Sequence, residues 1–337
     1  MSRLRQELTL LNTVLFGIVL VLCIASLMSG EAHIVFLHAL GDMLAGKNSA
    51  GAIIVMQLRL PRMLLAVMVG GTLGLSGAVL QGYLRNSLAD PGILGVSGGA
   101  TLGAVSVFYT GLMQLSILIL PLGGLIGALC AALLLMGLVG QGSVLVLLLA
   151  GAALSSFTAA LTALVLNLVP SPYASFEIMH WLMGSFTDRT FTHVWICLPG
   201  VMLGAALMFL SARYLDALVL GEDVAETLGF RLHGLKGVQT RIVLGTSLAV
   251  GSCVAVSGVI GFVGLVVPHL LRPLTGYQPS RLLLPSFLGG AVLLLLADMT
   301  VRLVSIGGEL QVGVLTALVG APFFFARVIL LKRKALS

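Results

Sequence analysis

The sequence predicts an all-α polytopic membrane protein, and three observations carry that prediction. Only 9% of the 337 residues are charged and 58% are hydrophobic. The mean hydropathy of +1.13 marks lipid, not water, as the solvent. The apolar residues come in unalternated runs of Leu, Val, Ile, Ala and Gly about twenty long, enough to cross a ~30 Å hydrocarbon core. In lipid every backbone amide must be paired within the protein, which leaves helices or closed barrels. Runs without two-residue alternation select helices.

Ten spans follow in order: 9–29, 62–82, 93–110, 117–138, 146–168, 191–211, 240–258, 259–271, 282–303 and 312–331. The first lies behind Arg3 and Arg5, is too long for a signal-peptide core and has no A-x-A-like site after it, so it is kept as a span. The stretch 240–271 is one apolar run interrupted by Gly258, Gly261 and Gly264. Its second half is too short to cross vertically without the glycine-rich turn before it. The chain reads as a single transmembrane domain over 1–337.

Ten spans place both termini on one side. That side collects thirteen of the 18 Lys and Arg, among them Arg3, Arg5, Arg85, Arg213, Arg231, Arg272 and Arg333. The other side keeps Lys47, Arg59, Arg62, Arg189 and Arg302. The positive-inside rule therefore puts both termini in the cytoplasm. The net charge of +6 is a topology signal, not a nucleic-acid signal.

Gly70/Gly74, Gly123/Gly127 and Gly200/Gly204 are small-xxx-small pairs that suit close helix packing. Cys23, Cys130, Cys197 and Cys253 lie singly in four spans, with no metal-ligand or redox spacing, and read as buried small hydrophobes. No metal site is expected. Residues 41–48 approach the phosphate-loop pattern, but Asn48 stands where Mg²⁺ needs a hydroxyl, no strand precedes, and the topology puts them outside. The chain is expected to hold no nucleotide of its own.

The longest cytoplasmic stretch, 212–239, reads as two short helices with apolar teeth. Asp216 is expected to cap a turn that Gly221 ends. Glu222 and Asp223 open the second helix, where the dipole favours anions. Val224 and Leu228 then form one apolar edge before Gly229 stops the helix. Such a surface suits a protein partner; a helix lying on lipid is the alternative, but basic residues are sparse in 216–229.

Four segments together resemble the transmembrane subunit of the iron-siderophore, haem and vitamin B12 class of ABC importers, the type II importer permeases. They are Leu58-Arg59-Leu60-Pro61-Arg62 with the run to Asn86-Ser87-Leu88-Ala89-Asp90-Pro91-Gly92; Leu220-Gly221-Glu222 to Leu228-Gly229; Gly261-Phe262-Val263-Gly264-Leu265-Val266-Val267-Pro268-His269; and Gly313 to Ala321-Pro322-Phe323. Their order and separation fit the family across nearly the whole chain. The resemblance implies a ten-helix subunit paired with a second copy or a paralogue in the bacterial inner membrane. It implies two cytoplasmic ATPase subunits that bind ATP and Mg²⁺, and a substrate-binding protein docked outside. The cargo it implies is a bulky metal chelate, ferric siderophore foremost, with haem, cobalamin and molybdate open. The chain would be no enzyme itself.

The resemblance also distributes roles. Asp216, Leu218, Gly221, Glu222, Val224, Ala225, Leu228 and Gly229 would couple to the ATPase. Arg59, Arg62 and Arg302 would receive acidic residues of the binding protein, since Arg presents a fixed fork to carboxylates. The alternatives are snorkelling and, for Arg302, a pair with Asp298 one turn earlier. Asp298 reads as a buried structural partner and not a proton relay. Asn86 and Leu88 would form the cytoplasmic gate, although Ser87 stands where the family usually has Pro; 140–145 would hold the other gate region. Ser155, Thr158 and Thr162 line one face of the fifth span and either border the path or bond to carbonyls one turn back. His180, between Met179 and Trp181, reads as an interface anchor, with haem contact as the alternative. A rival from another class is an ion-coupled secondary transporter, which should show several intramembrane acids around a midplane site; here Asp298 stands alone.

Overall fold

Helix formation follows the apolar runs closely. A computed structural model describes residues 2–30, 38–39, 41–42, 45–47, 49–140, 142–232, 234, 237–304 and 310–336. Helix α1 (Ser2–Met28) comes first. A short α2 (Ala50–Ile54) runs through a π-helical turn (Val55–Arg59) into α3 (Leu60–Tyr83). Then come α4 (Val96–Tyr109), α5 (Ile119–Val139), α6 (Val144–Leu168), α7 (Pro172–Leu182) and α8 (Phe191–Leu210). The cytoplasmic α9 (Ala212–Leu218) and α10 (Glu222–Thr227) precede α11 (Val238–Ser257), α12 (Val263–Leu271), α13 (Pro279–Val304) and α14 (Val312–Leu336).

Among the described residues, seven segments are long and apolar enough to cross a membrane, and α4, α12 and α14 are shorter apolar helices at the three remaining predicted spans. The division of 240–271 is where the sequence puts it. Gly258 ends α11 at φ +70, and Phe262 opens α12 at φ +68. A side chain at Gly258 would strike the Trp181 carbonyl, so only glycine turns the chain there. Helix α12 has nine residues and is prolonged by a 3₁₀ turn, Arg272–Thr275.

α3 and α11 form the centre, each with 83% of its apolar window buried, whereas α1 has 6% and lies at the rim. The glycine pairs set the spacing. Gly70 and Gly74 meet the backbone of Gly290 and Ser286 on α13; Gly123 and Gly127 meet Gly103 and Gly99 on α4; Gly200 and Gly204 meet Ser252 and Gly245 on α11. Without Cβ atoms these backbones touch directly, the packing mode that replaces the hydrophobic effect in lipid.

The cysteines need correction. Cys130 is exposed and Cys23 half-buried, while Cys197 and Cys253 are buried and free. Each of the four lies alone in its span, as expected, and the thiols of Cys197 and Cys253 face each other where α8 packs on α11. Of the phosphate-loop look-alike, only residues 41–42 and 45–47 are described, and Lys47 N–H donates back to the Asp42 carbonyl at 2.8 Å.

Candidate functional site

At the outer end the π-helical turn before α3 carries Arg59 to the tail of α1. Its guanidinium donates to the carbonyls of Leu27 at 2.9 Å and Met28 at 3.2 Å. Those carbonyls lack partners because α1 ends there, so a cation satisfies both. Asp298, fully buried on α13, accepts from Arg62 Nε at 2.8 Å. It also accepts from Arg302 at 2.7 Å, the one-turn pair foreseen in the sequence. Arg302 reaches on to Ser26 Oγ at 2.6 Å and the Ser26 and Ser29 carbonyls. A buried carboxylate between two guanidiniums offsets the cost of desolvating each. The cluster pins α1, α3 and α13 together.

These arginines wall a cavity of about 400 Å³, completed by the loop after α7 through Thr187, Asp188 and Arg189. Arg59 and Arg302 are nearly enclosed; the Arg62 side chain keeps 17% of its surface. Asp298 is thus held as a structural acid.

At the cytoplasmic end, Asp216 corrects the reading of the loop. It lies inside α9 and does not cap its own turn. Its carboxylate accepts from Ser280 N–H at 2.9 Å, Ser280 Oγ at 2.6 Å and Gln278 Nε2 at 2.8 Å, and so caps the start of α13 from outside. Glu222 and Asp223 occupy the first turn of α10 as expected, and Gly221 enters it at φ +114. Leu218 and Ala225 are buried against the bundle, while Val224 and Leu228 are exposed. The apolar teeth therefore point away from the chain, and Gly229 at φ +88 ends the element. Tyr214 stacks edge-on with Phe230, ring centroids 5.7 Å apart. Burial, then the Glu222 carboxylate, pushes its phenol up to about 12.

The loop from α3 to α4 is built by two side-chain turns. Asn86 Oδ1 accepts from Leu88 N–H, and Asp90 Oδ1 from Gly92 N–H, each at 2.9 Å. Burial raises the Asp90 pKa, against the lowering from the Gly92 N–H. Leu88 is exposed. Arg85, in the left-handed region at φ +47, reaches Glu222 at 3.5 Å, so the loop touches the base of α10. Gln81, buried on α3, donates to the Gly264 carbonyl at 3.2 Å and accepts from Arg272 at 3.0 Å, fixing α12 beside this loop. Of the other gate region, Gln141 is outside the described residues.

On α6 the hydroxyls turn inward. Thr158 donates to the carbonyls of Leu154 and Ser155, Thr162 to that of Thr158, and Ser155 crosses to the Gly92 carbonyl at 3.0 Å. The stripe packs on α4 beside Gly98. His180 is held by Gln311 at 2.8 Å and stacks on Phe176. Sequence reasoning missed Arg189, the Ser26 contact, and the Gln278–Ser280 seat for Asp216. Arg189 alone had a signal, as one of the few cations on the outer side.

Residues 18–332 match the FecCD transport family. The chain belongs to that family. It is 38% identical over 328 residues to the uncharacterized ABC transporter permease protein YvrB of Bacillus subtilis (strain 168), covering 92% of this chain and 90% of the relative. It is 39% identical over 311 residues to the vitamin B12 import system permease protein BtuC of Salmonella paratyphi A (strain ATCC 9150 / SARB42), covering 91% of each. A solved metal-chelate type ABC transporter in an inward-facing conformation superposes with a TM-score of 0.81 at 30% identity, over 96% of this chain and 99% of the other. The chain is thus an ABC-importer permease of the FecCD family, a multi-pass protein of the bacterial cytoplasmic membrane with the type II permease fold. That membership replaces the ion-coupled reading.

Proposed function

We propose that this permease, paired with a second copy or a paralogue, carries a bulky metal chelate inward by alternating access. Separate ATPase subunits, which hold the ATP and Mg²⁺, would drive it from below. The observation that carries this reading is the α9–α10 element: Val224 and Leu228 project from the bundle while Asp216 ties the element's root to the start of α13. A push on those teeth reaches a membrane-spanning helix through a short, hydrogen-bonded joint. Asp216, Leu218, Gly221, Ala225 and Gly229 shape the element, and Glu222, Val224 and Leu228 present it to the ATPase.

Outside, the cavity walled by Arg59, Arg62 and Arg302 offers a positive field to the acidic surface of a binding protein. Inside, Asn86 and Leu88 form the gate, moved with α10 through Arg85. The path follows α6, which Ser155 ties to the Gly92 carbonyl ahead of α4 and Thr158 packs against Gly98, with Thr162 one turn further along the same face. The Salmonella relatives are named for vitamin B12 import, so cobalamin joins ferric siderophore as a leading cargo, with haem and molybdate behind. Uptake into proteoliposomes holding the assembled importer tests this: radiolabelled cobalamin and ferric siderophore are compared, each with its binding protein. Accumulation that needs ATP supports the reading. Accumulation driven by an ion gradient without ATP overturns it.

A further inference from the structure

A second cavity, of about 230 Å³, opens at the cytoplasmic end, where the tail of α3 meets the 3₁₀ turn after α12. Gln81, Arg85, Arg272 and Tyr277 line it, with Val219 from the link between α9 and α10. The Arg272 guanidinium donates to the Gln81 amide oxygen at 3.0 Å and, among the described residues, to no other group. Gln81 is itself held by the Gly264 carbonyl, so it orients the guanidinium without neutralising it. Arg85 reaches Glu222 at 3.5 Å, with 52% and 35% of the two side chains exposed. Ion pairs of that kind hold weakly. The carboxylates that the sequence places on the cytoplasmic side are Glu7, Asp90, Asp216, Glu222, Asp223 and Glu226, all among the described residues. Of these, Glu222 alone meets a cation of the cavity. Two guanidiniums thus share one loosely held carboxylate, and a half-buried cation without its anion is unfavourable until one arrives.

The surroundings indicate what that anion is. The cavity lies where spans leave the membrane, since α3 ends at Tyr83 and α12 at Leu271. Its skirt is apolar: Val219, Leu270 and Leu274 are all exposed. Tyr277, 69% exposed and held at φ +59, adds a ring of the kind that sits at headgroup level. Basic pockets between membrane helices on the cytoplasmic side, where the leaflet is anionic, recognise lipid headgroups. At about 230 Å³ the cavity is smaller than the roughly 300–1,000 Å³ of pockets that take drug-sized solutes, and it suits a phosphate with its ester stem. We propose that Arg85 and Arg272 clamp the phosphate of an anionic phospholipid of the cytoplasmic leaflet, whose chains lie against Leu270 and Leu274. Two guanidinium forks match a phosphate's oxygens, and the phosphate draws on Arg85 in competition with Glu222.

Native mass spectrometry of the full-length permease in neutral detergent tests it, by titration with phosphatidylglycerol and with phosphatidylcholine of the same acyl chains. The wild type is expected to hold phosphatidylglycerol about thirtyfold more tightly. Arg85→Gln and Arg272→Gln should each lose about fivefold, and the double variant the whole preference. Arg85→Gln is expected to melt like the wild type, because its ion pair is exposed, so its loss of lipid is not unfolding. Arg213→Gln, which removes an exposed cytoplasmic cation outside the cavity, should keep the preference. Equal retention of the two lipids, or a preference that survives the double variant, overturns the proposal. An equal loss in Arg213→Gln assigns the effect to general surface charge and overturns it too. Inorganic phosphate in millimolar excess should leave the lipid in place; its displacing the lipid would make the cavity a soluble-phosphate site and end the lipid assignment.

Discussion

Asp298 is the residue on which the outer end depends. It is fully buried and holds Arg62 from α3 and Arg302 from its own helix. Asp298→Asn would leave two guanidiniums without their anion, and removing one partner of a buried ion pair costs roughly 3–5 kcal/mol. The expected result is a sharply lowered melting temperature in detergent. Asp216 is the counterpart at the cytoplasmic end. Asp216→Ala removes three hydrogen bonds to Gln278 and Ser280 and should cost about 1–3 kcal/mol locally. Faster hydrogen exchange at α9 and the first turn of α13 checks this; unaltered exchange would show that the joint carries nothing. The Asp298–Arg302 pair was legible because its partners are one helical turn apart. Arg62–Asp298, 236 residues apart, and Asp216–Ser280, 64 apart, were not, because hydropathy orders the spans without saying which of them touch.

The elements themselves were nearly all legible. A span needs about twenty apolar residues, and that criterion located the seven long helices among the described residues; the nine-residue α12 was placed by the glycine-rich turn before it. The break between α11 and α12 could be read as well, since glycine at 258 is the residue a left-handed turn demands. The π-helical turn that aims Arg59 at α1 had no sequence signal; it is a matter of hydrogen-bond register. The facing of the hydroxyl stripe on α6 was equally undecidable, because a helix face is defined only against its neighbours. Helix contact in this fold rests on glycine, most directly where Gly70 and Gly74 lie against Gly290 and Ser286. Gly74→Val would force α3 and α13 apart, and overpacking of this kind costs about 1–3 kcal/mol. The variant should show a lowered melting temperature and broadened gel-filtration profile, whereas Gly17→Val, with open space around it, should match the wild type.

At the scale of the whole molecule, α13 connects the two ends. Its first turn is capped by Asp216 beneath the α10 teeth, and its last turns carry Asp298 and Arg302 in the outer cluster. Twenty-six residues of helix rise about 39 Å, enough to run from one face of the membrane to the other. In the importer proposed above, an event outside and ATP hydrolysis inside would be related through one continuous helix tied at both ends. The orientation was legible because lysine and arginine report sidedness in lipid; the partners were not, since one chain shows only the surfaces it leaves uncovered.

The most direct test of the central claim is an affinity pull-down of the tagged chain from native membranes in mild detergent. Wild type is compared with the double variant Glu222→Arg/Leu228→Asp, which reverses a charge and breaks an exposed tooth without touching buried Leu218 or Ala225. The account predicts that an ATPase subunit is recovered with the wild type and lost with the variant. Recovery of the ATPase with both would show that α10 is not the docking element. No ATPase with the intact chain would contradict the importer assignment itself.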